Sequence, residues 1–170
     1  MAEMQGKVSW RADGDALTVR VEGRGTMAHG LPLQRLGERL LASGVRAVRI
    51  DLRACPYMDS TFLGTLLALN KALGRLGAGP LAIVAPTVAC SKILDQMGLG
   101  EMLPVQAGTD HDPAGWHELP PDTADAPALR RNIVEAHERL AELPGPAGQQ
   151  FQAVLRCLAA EAKPKNPPGE

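Results

Sequence analysis

Asp59, Ser60 and Thr61 stand between a strand pattern and a helix pattern, and their types suit phosphate chemistry. Before them, Val48-Arg49-Ile50-Asp51-Leu52 is an apolar strand pattern. After them, Leu63, Leu66, Leu67, Leu73 and Leu76 recur at helical spacing. Asp59 therefore falls at the helix N-cap, and Ser60 and Thr61 open the first turn. First-turn amides have no partner inside a helix, and the helix dipole favours negative charge there. A hydroxyl at that point can carry a phosphate and have its charge stabilised locally. The same three residues also make a good cap beside a solvated serine. Local sequence leaves both readings open.

No other cluster competes for chemistry. His29, before Gly30, reads as a surface-loop histidine. His111, His117 and His137 lack metal-ligand spacing, and Asp110-His111-Asp112 reads as a solvated turn. Cys55, Cys90 and Cys157 are odd in number with no C-x-x-C pair, so neither a disulfide framework nor a zinc site is expected. Gly23, Gly25 and Gly30 are too widely spaced for a dinucleotide fingerprint. No serine-hydrolase or zinc-protease motif occurs, so no catalytic residue, metal or cofactor is assigned. Lys71 and Arg75 read as the wet face of the helix that begins at Ser60.

The elements that must position these residues follow from periodicity. Val8, Trp10 and Ala12, then Leu17, Val19 and Val21, alternate with polar residues, giving two strands joined at Asp13-Gly14-Asp15. Leu33, Leu36, Leu40 and Leu41 mark a helix ending near Gly44. Leu81-Ala82-Ile83-Val84 reads as a strand covered on both faces. Thr87 caps a third helix with Cys90, Ile93, Leu94 and Met97 on one face, and Met102 to Val105 would add a short strand. The order implies an α/β fold: a mixed sheet of four to five strands, an antiparallel first hairpin and parallel crossovers.

Composition then shifts. Residues 106–127 hold four prolines and two glycines and read as a linker. Residues 128–160 carry two apolar stripes, Leu129, Ile133, His137, Leu140 and Leu143, then Phe151, Val154, Leu155 and Leu158. Pro144-Gly145-Pro146 breaks them into a helical hairpin expected to pack on the body or on a second copy as a homodimer. Residues 161–170 read as a disordered tail.

A net charge of −1 and 3% aromatics argue against nucleic acid as a direct partner. No apolar run reaches the ~20 residues needed to span a bilayer, and Met1 to Gly6 hold no signal-peptide core. The expectation is a cytoplasmic protein without a membrane partner.

The body over 7–105 resembles the STAS domain of bacterial anti-sigma-factor antagonists. The carrying residues are Ile50-Asp51-Leu52, Tyr57-Met58-Asp59-Ser60-Thr61 and Leu63-Gly64. That family has Asp-Ser-Ser/Thr-Gly-Leu-Gly at this junction, and the resemblance makes Ser60 the phosphoacceptor and Asp59 its cap and orienting residue. It implies a non-enzymatic switch whose partners are an anti-sigma factor or related serine kinase, with a serine phosphatase to reset it. Phe62 stands where the family has Gly, and either turns into the core or enlarges the docking surface; the expectation is the latter, with Met58, Thr61 and Phe62 shaping the docking rim. Two rivals remain: an unmodified scaffold or transport-associated STAS subunit, and a module holding a nucleotide or small molecule at the same helix start. The missing Gly-rich loop weighs against the latter.

Overall fold

The first strands form because apolar and polar residues alternate. β1 (Lys7–Asp13) and β2 (Ala16–Gly25) pair antiparallel, with Val8 opposite Val21 and Trp10 opposite Val19. Gly14 takes the positive φ of 59° needed at the first position of this two-residue turn. Each later step is a strand–helix–strand unit: α1 (Met27–Ala42), β3 (Ala47–Met58), α2 (Ser60–Arg75), β4 (Ala82–Val84), α3 (Val88–Gln96) and β5 (Val105–Gln106). β2 to β5 are mutually parallel. Such crossovers are right-handed, and all step the same way across the sheet, so they place α1, α2 and α3 on one face. The computed structural model describes residues 5–108, 113–122 and 125–162.

Past β5 the structure departs from the expected linker. β6 (His117–Leu119) joins the far edge antiparallel to β1, giving the order β5-β4-β3-β2-β1-β6. The sheet thus has six strands rather than four to five. An edge strand such as β1 offers unpaired amides and carbonyls, and β6 pairs them. Just ahead of β6, Ala114 and Trp116 lie against arginines of β1 and β2. Arg11 Nη1 donates to Ala114 O at 3.3 Å, and the Arg20 guanidinium stacks 4.1 Å from the Trp116 ring centre. A cavity of about 420 Å³ remains there, lined by Arg11, Thr18, Arg49, Gln106 and Trp116 among others. Asp110-His111-Asp112 lies outside the described residues, as does 163–170 of the expected tail.

The C-terminal helices are α4 (Ala126–Ala141) and α5 (Gly145–Glu161). A proline in α1 helps bring them in. Pro32 has no N–H to give the carbonyl four residues back, and Ala28 O instead accepts from Asp122 N at 2.8 Å. Arg35 lies 3.5 Å from the Asp122 carboxylate. The face that α4 buries is Ala128, Asn132, Ala136, His137 and Leu140. Of the expected stripe, His137 and Leu140 lie on this face and Leu143, just past the helix, is buried too, while Leu129 and Ile133 are half-buried.

With α4 in place, the first two turns of α2 are buried all round, from Thr61 to Leu67. Phe62 is fully buried, along with Leu66, Leu69 and Leu73 along the helix. Gly25 makes room for it: a Cβ there would stand 3.0 Å from the ring. Phe62→Ala should therefore destabilise the fold by about 3–5 kcal/mol in denaturant titration. A loss under about 1 kcal/mol would place the ring outside the core.

Candidate functional site

The junction of β3 and α2 is organised by one carboxylate. Asp59 is extended at φ −83°, ψ 167°, and follows β3 as the N-cap of α2. Its Oδ1 accepts from Phe62 N at 2.8 Å, and its Oδ2 accepts from Met27 N, also at 2.8 Å. Met27 opens α1, whose own N-cap, Thr26, makes no side-chain cap bond. Asp59 thus closes two helix N-termini at once. Its backbone is fixed too: Asp59 N donates to Gly25 O at 2.9 Å, and Asp59 O accepts from Leu63 N at 3.1 Å. Thr87 Oγ1 donates to Cys55 O at 2.7 Å and accepts from Cys90 N, which ties α3 to the end of β3.

Ser60 is the first residue of α2 and is half-buried. Asp59 occupies the amides of Phe62 and Leu63. Those of Ser60 and Thr61 have no partner among the described residues, the usual condition for receiving an anion. The Ser60 hydroxyl lies 3.0 Å from His137 Nε2, on α4. His137 Nδ1 is 2.6 Å from Ile133 O. A carbonyl only accepts, so Nδ1 carries the hydrogen. In the neutral ring Nε2 is then the acceptor, and Ser60 donates to it. The Phe151 ring packs on the imidazole, with centroids 5.8 Å apart.

Around this bond, the seat of α4 is small and polar. A Cβ on Gly64 would stand 2.6 Å from Ala136 Cβ, so the two helices cross at nearly closest approach. Thr65 Oγ1 donates to Thr61 O at 3.1 Å, deep in the interface. Asn132 is 2% exposed and His29 4%. Neither polar atom of the Asn132 amide, nor His29 Nδ1, has a hydrogen-bond partner among the described residues. Each such group costs on the order of 1–3 kcal/mol when buried. Burial holds His29 below its ordinary pKa, against a smaller opposing pull from Glu118.

The structure corrects several expectations. Met58, Thr61 and Phe62 were expected on the docking rim, but all three are buried: Met58 and Phe62 in the core, and Thr61 under α4. The exposed apolar side chains flanking Asp59 are instead Met27 and Tyr57, 43% and 41% exposed, the latter under the Arg24 guanidinium. His29, expected in a surface loop, is buried in the first turn of α1. His137, expected only to pack, is the residue that meets Ser60. The i, i+4 series Ala128, Asn132, Ala136, Leu140 was the available signal for this face, hidden because two members are small and one is polar. The cavity on the polar face of the sheet is not lined by the α2 start, the place a nucleotide would take in the small-molecule reading.

Comparison with known proteins supplies the fold family. The family model described as Mlab, STAS domain, matches residues 8–104, more than half of the chain, and stops before β6, α4 and α5. No curated protein matches the chain. Among solved structures, an anti-sigma factor antagonist from Mycobacterium paratuberculosis is similar at 23% identity and TM-score 0.51, over 59% of this chain and 85% of that one. The protein TM1081 of Thermotoga maritima is similar at 17% identity and TM-score 0.53, over 59% and 85%. The Bacillus cell fate determinant SpoIIAA in its phosphorylated form is similar at 15% identity and TM-score 0.50, over 58% and 87%. At these identities the likeness is one of fold. Among the described residues, no helix is long and apolar enough to cross a membrane.

Because Asp59 caps two helices, its removal should cost more than one cap. Asp59→Ala should lower stability by about 2 kcal/mol or more in denaturant titration, against about 1 kcal/mol for an ordinary cap. A loss of only a few tenths would mean that Met27 and Phe62 find water as readily as the carboxylate.

Proposed function

We infer the function from one premise: the chain belongs to the STAS domain family. On that basis the protein is a phosphorylation-regulated binding module of the anti-sigma-factor-antagonist kind, with Ser60 as acceptor. It is not an enzyme but the substrate of one. Its partners are an anti-sigma factor or related serine kinase, with a serine phosphatase for reversal, in the cytoplasm. The observation that carries this reading is the placement of Ser60. It begins α2 directly after the cap, half-buried, beside two first-turn amides with no partner among the described residues.

The physical effect of a phosphate there is local. It adds about 1.5 to 2 negative charges beside the Asp59 carboxylate, partly offset by the amides of Ser60 and Thr61. The sheet need not move. A partner docked against Met27, Tyr57 and the α2 start would meet a new anion and lose affinity.

A second reading is favoured by a specific observation. The Ser60 hydroxyl is already engaged by His137 and lies at the margin of α4. A scaffold or transport-associated STAS subunit in which Ser60 is never modified would keep that bond permanently.

Partner capture separates the two. The wild-type chain and Ser60→Asp, each immobilised, are challenged with the soluble proteins of the native host, and the retained partner is identified and titrated. The switch reading expects tenfold or greater weakening in Ser60→Asp. Equal affinity for both would favour the scaffold.

A further inference from the structure

We propose that α4 is a displaceable occupant of the groove between α1 and α2. In its place the groove accepts a partner helix with a small residue at the Gly64 crossing and a hydrogen-bonding side chain opposite Ser60. The inference rests on reading the chain as a protein-binding module, and not on Ser60 being phosphorylated.

The groove has a steric code. Gly64 meets Ala136, and a Cβ on Gly30 would stand 3.1 Å from both Asn132 Nδ2 and Thr65 Oγ1. Two glycines, one on each wall, let a helix backbone come this close, and only a small residue fits at the crossing. It also has a polar anchor, since Ser60 donates to His137 at one end. A helix with Ala at one position and a hydrogen-bond acceptor one residue on reproduces what α4 offers.

α4 fills this groove imperfectly. Asn132 carries both amide atoms into it, and neither they nor His29 Nδ1 find a partner among the described residues. Permanent cores rarely leave so many polar groups unpaired in one place. A helix that satisfied Asn132's neighbours, or replaced Asn132 by an apolar side chain, would have the advantage over α4.

The attachment of the hairpin is also narrow. Gly148 is the one residue of α5 that is fully buried, and α5 packs chiefly on α4, so the two can leave together. The main anchors to the body are the α4 face itself, Leu143 in the core with Phe151 packed against it, the Asp122 contacts to Ala28 and Arg35, and an exposed Lys71–Glu142 pair at 3.5 Å. Exposed pairs of that kind hold little. With α4 seated, Thr61 and Gly64 are buried and the Ser60 hydroxyl is engaged by His137. With α4 displaced, the whole start of α2 becomes a surface.

The test uses the full chain with Ala136→Leu, a side chain too large for the contact with Gly64. Amide hydrogen exchange should show α4 and α5 losing protection while β2 and β3 keep theirs. A fluorescent peptide of residues 125–143, the α4 sequence, should then bind the variant at least tenfold more tightly than it binds the wild type. The same peptide carrying Ala136→Leu should not bind. Unchanged protection of α4 would overturn the proposal, as would an opened variant that ignores the wild-type peptide. Should the variant fail to fold, hydrogen exchange of the wild type at low denaturant decides. The proposal expects α4 to open before β2 and β3, and exchange of all three as one unit would overturn it. Each readout is independent of any kinase, so its failure is distinct from failure to find phosphate on Ser60.

Discussion

The Asp59 carboxylate is the interaction on which the rest of the site depends. Its two oxygens each take a backbone N–H, one from the start of α1 and one from the start of α2. α1 starts after the end of β2 and α2 after the end of β3, two neighbouring parallel strands, so one short side chain fixes their starting points relative to each other. Ser60 is held because it follows that residue. The first two amides of α2 have no partner among the described residues, because Asp59 serves the third and fourth positions instead. An anion-receptive helix start and a fixed position for Ser60 are therefore two results of one cap.

The bulky residue two places after Ser60 has structural consequences. Phe62 turns into the sheet-facing core, and Gly25 on β2 yields the space. The close-approach role of glycine in α2 falls instead to Gly64, where Ala136 sits. The hairpin of α4 and α5, which lies beyond the matched STAS segment, thus uses a feature of the domain itself. Its polar underside suits exchange better than permanent burial, because unpaired buried amides oppose the gain from apolar contact.

Much of this was legible in sequence because it obeys strong local rules. The antiparallel hairpin, the crossover order and the Asp59 and Thr87 caps follow from alternation, helical spacing and cap preference, and the structure has each of them. The misses are long-range. Nothing near Met27 announces that its amide will be capped by Asp59, 32 residues away. Phe62 looked like a rim residue because the size of the space under Gly25 is set by β2. The 106–127 segment looked like a linker because β6 is three residues long and is defined only by its pairing with β1. His137 was read by the apolar period of α4, which describes its contact with α5, while the face that seats on α2 is written in alanine and asparagine.

The central claim is that Ser60 is a regulated acceptor. It is tested most directly by the intact mass and fragment mapping of the chain isolated from its native host across growth conditions. The account predicts a population heavier by one phosphate, located on Ser60, whose share changes with conditions. A chain that stays unmodified in every condition, or one whose phosphate lies on Thr61, would contradict it.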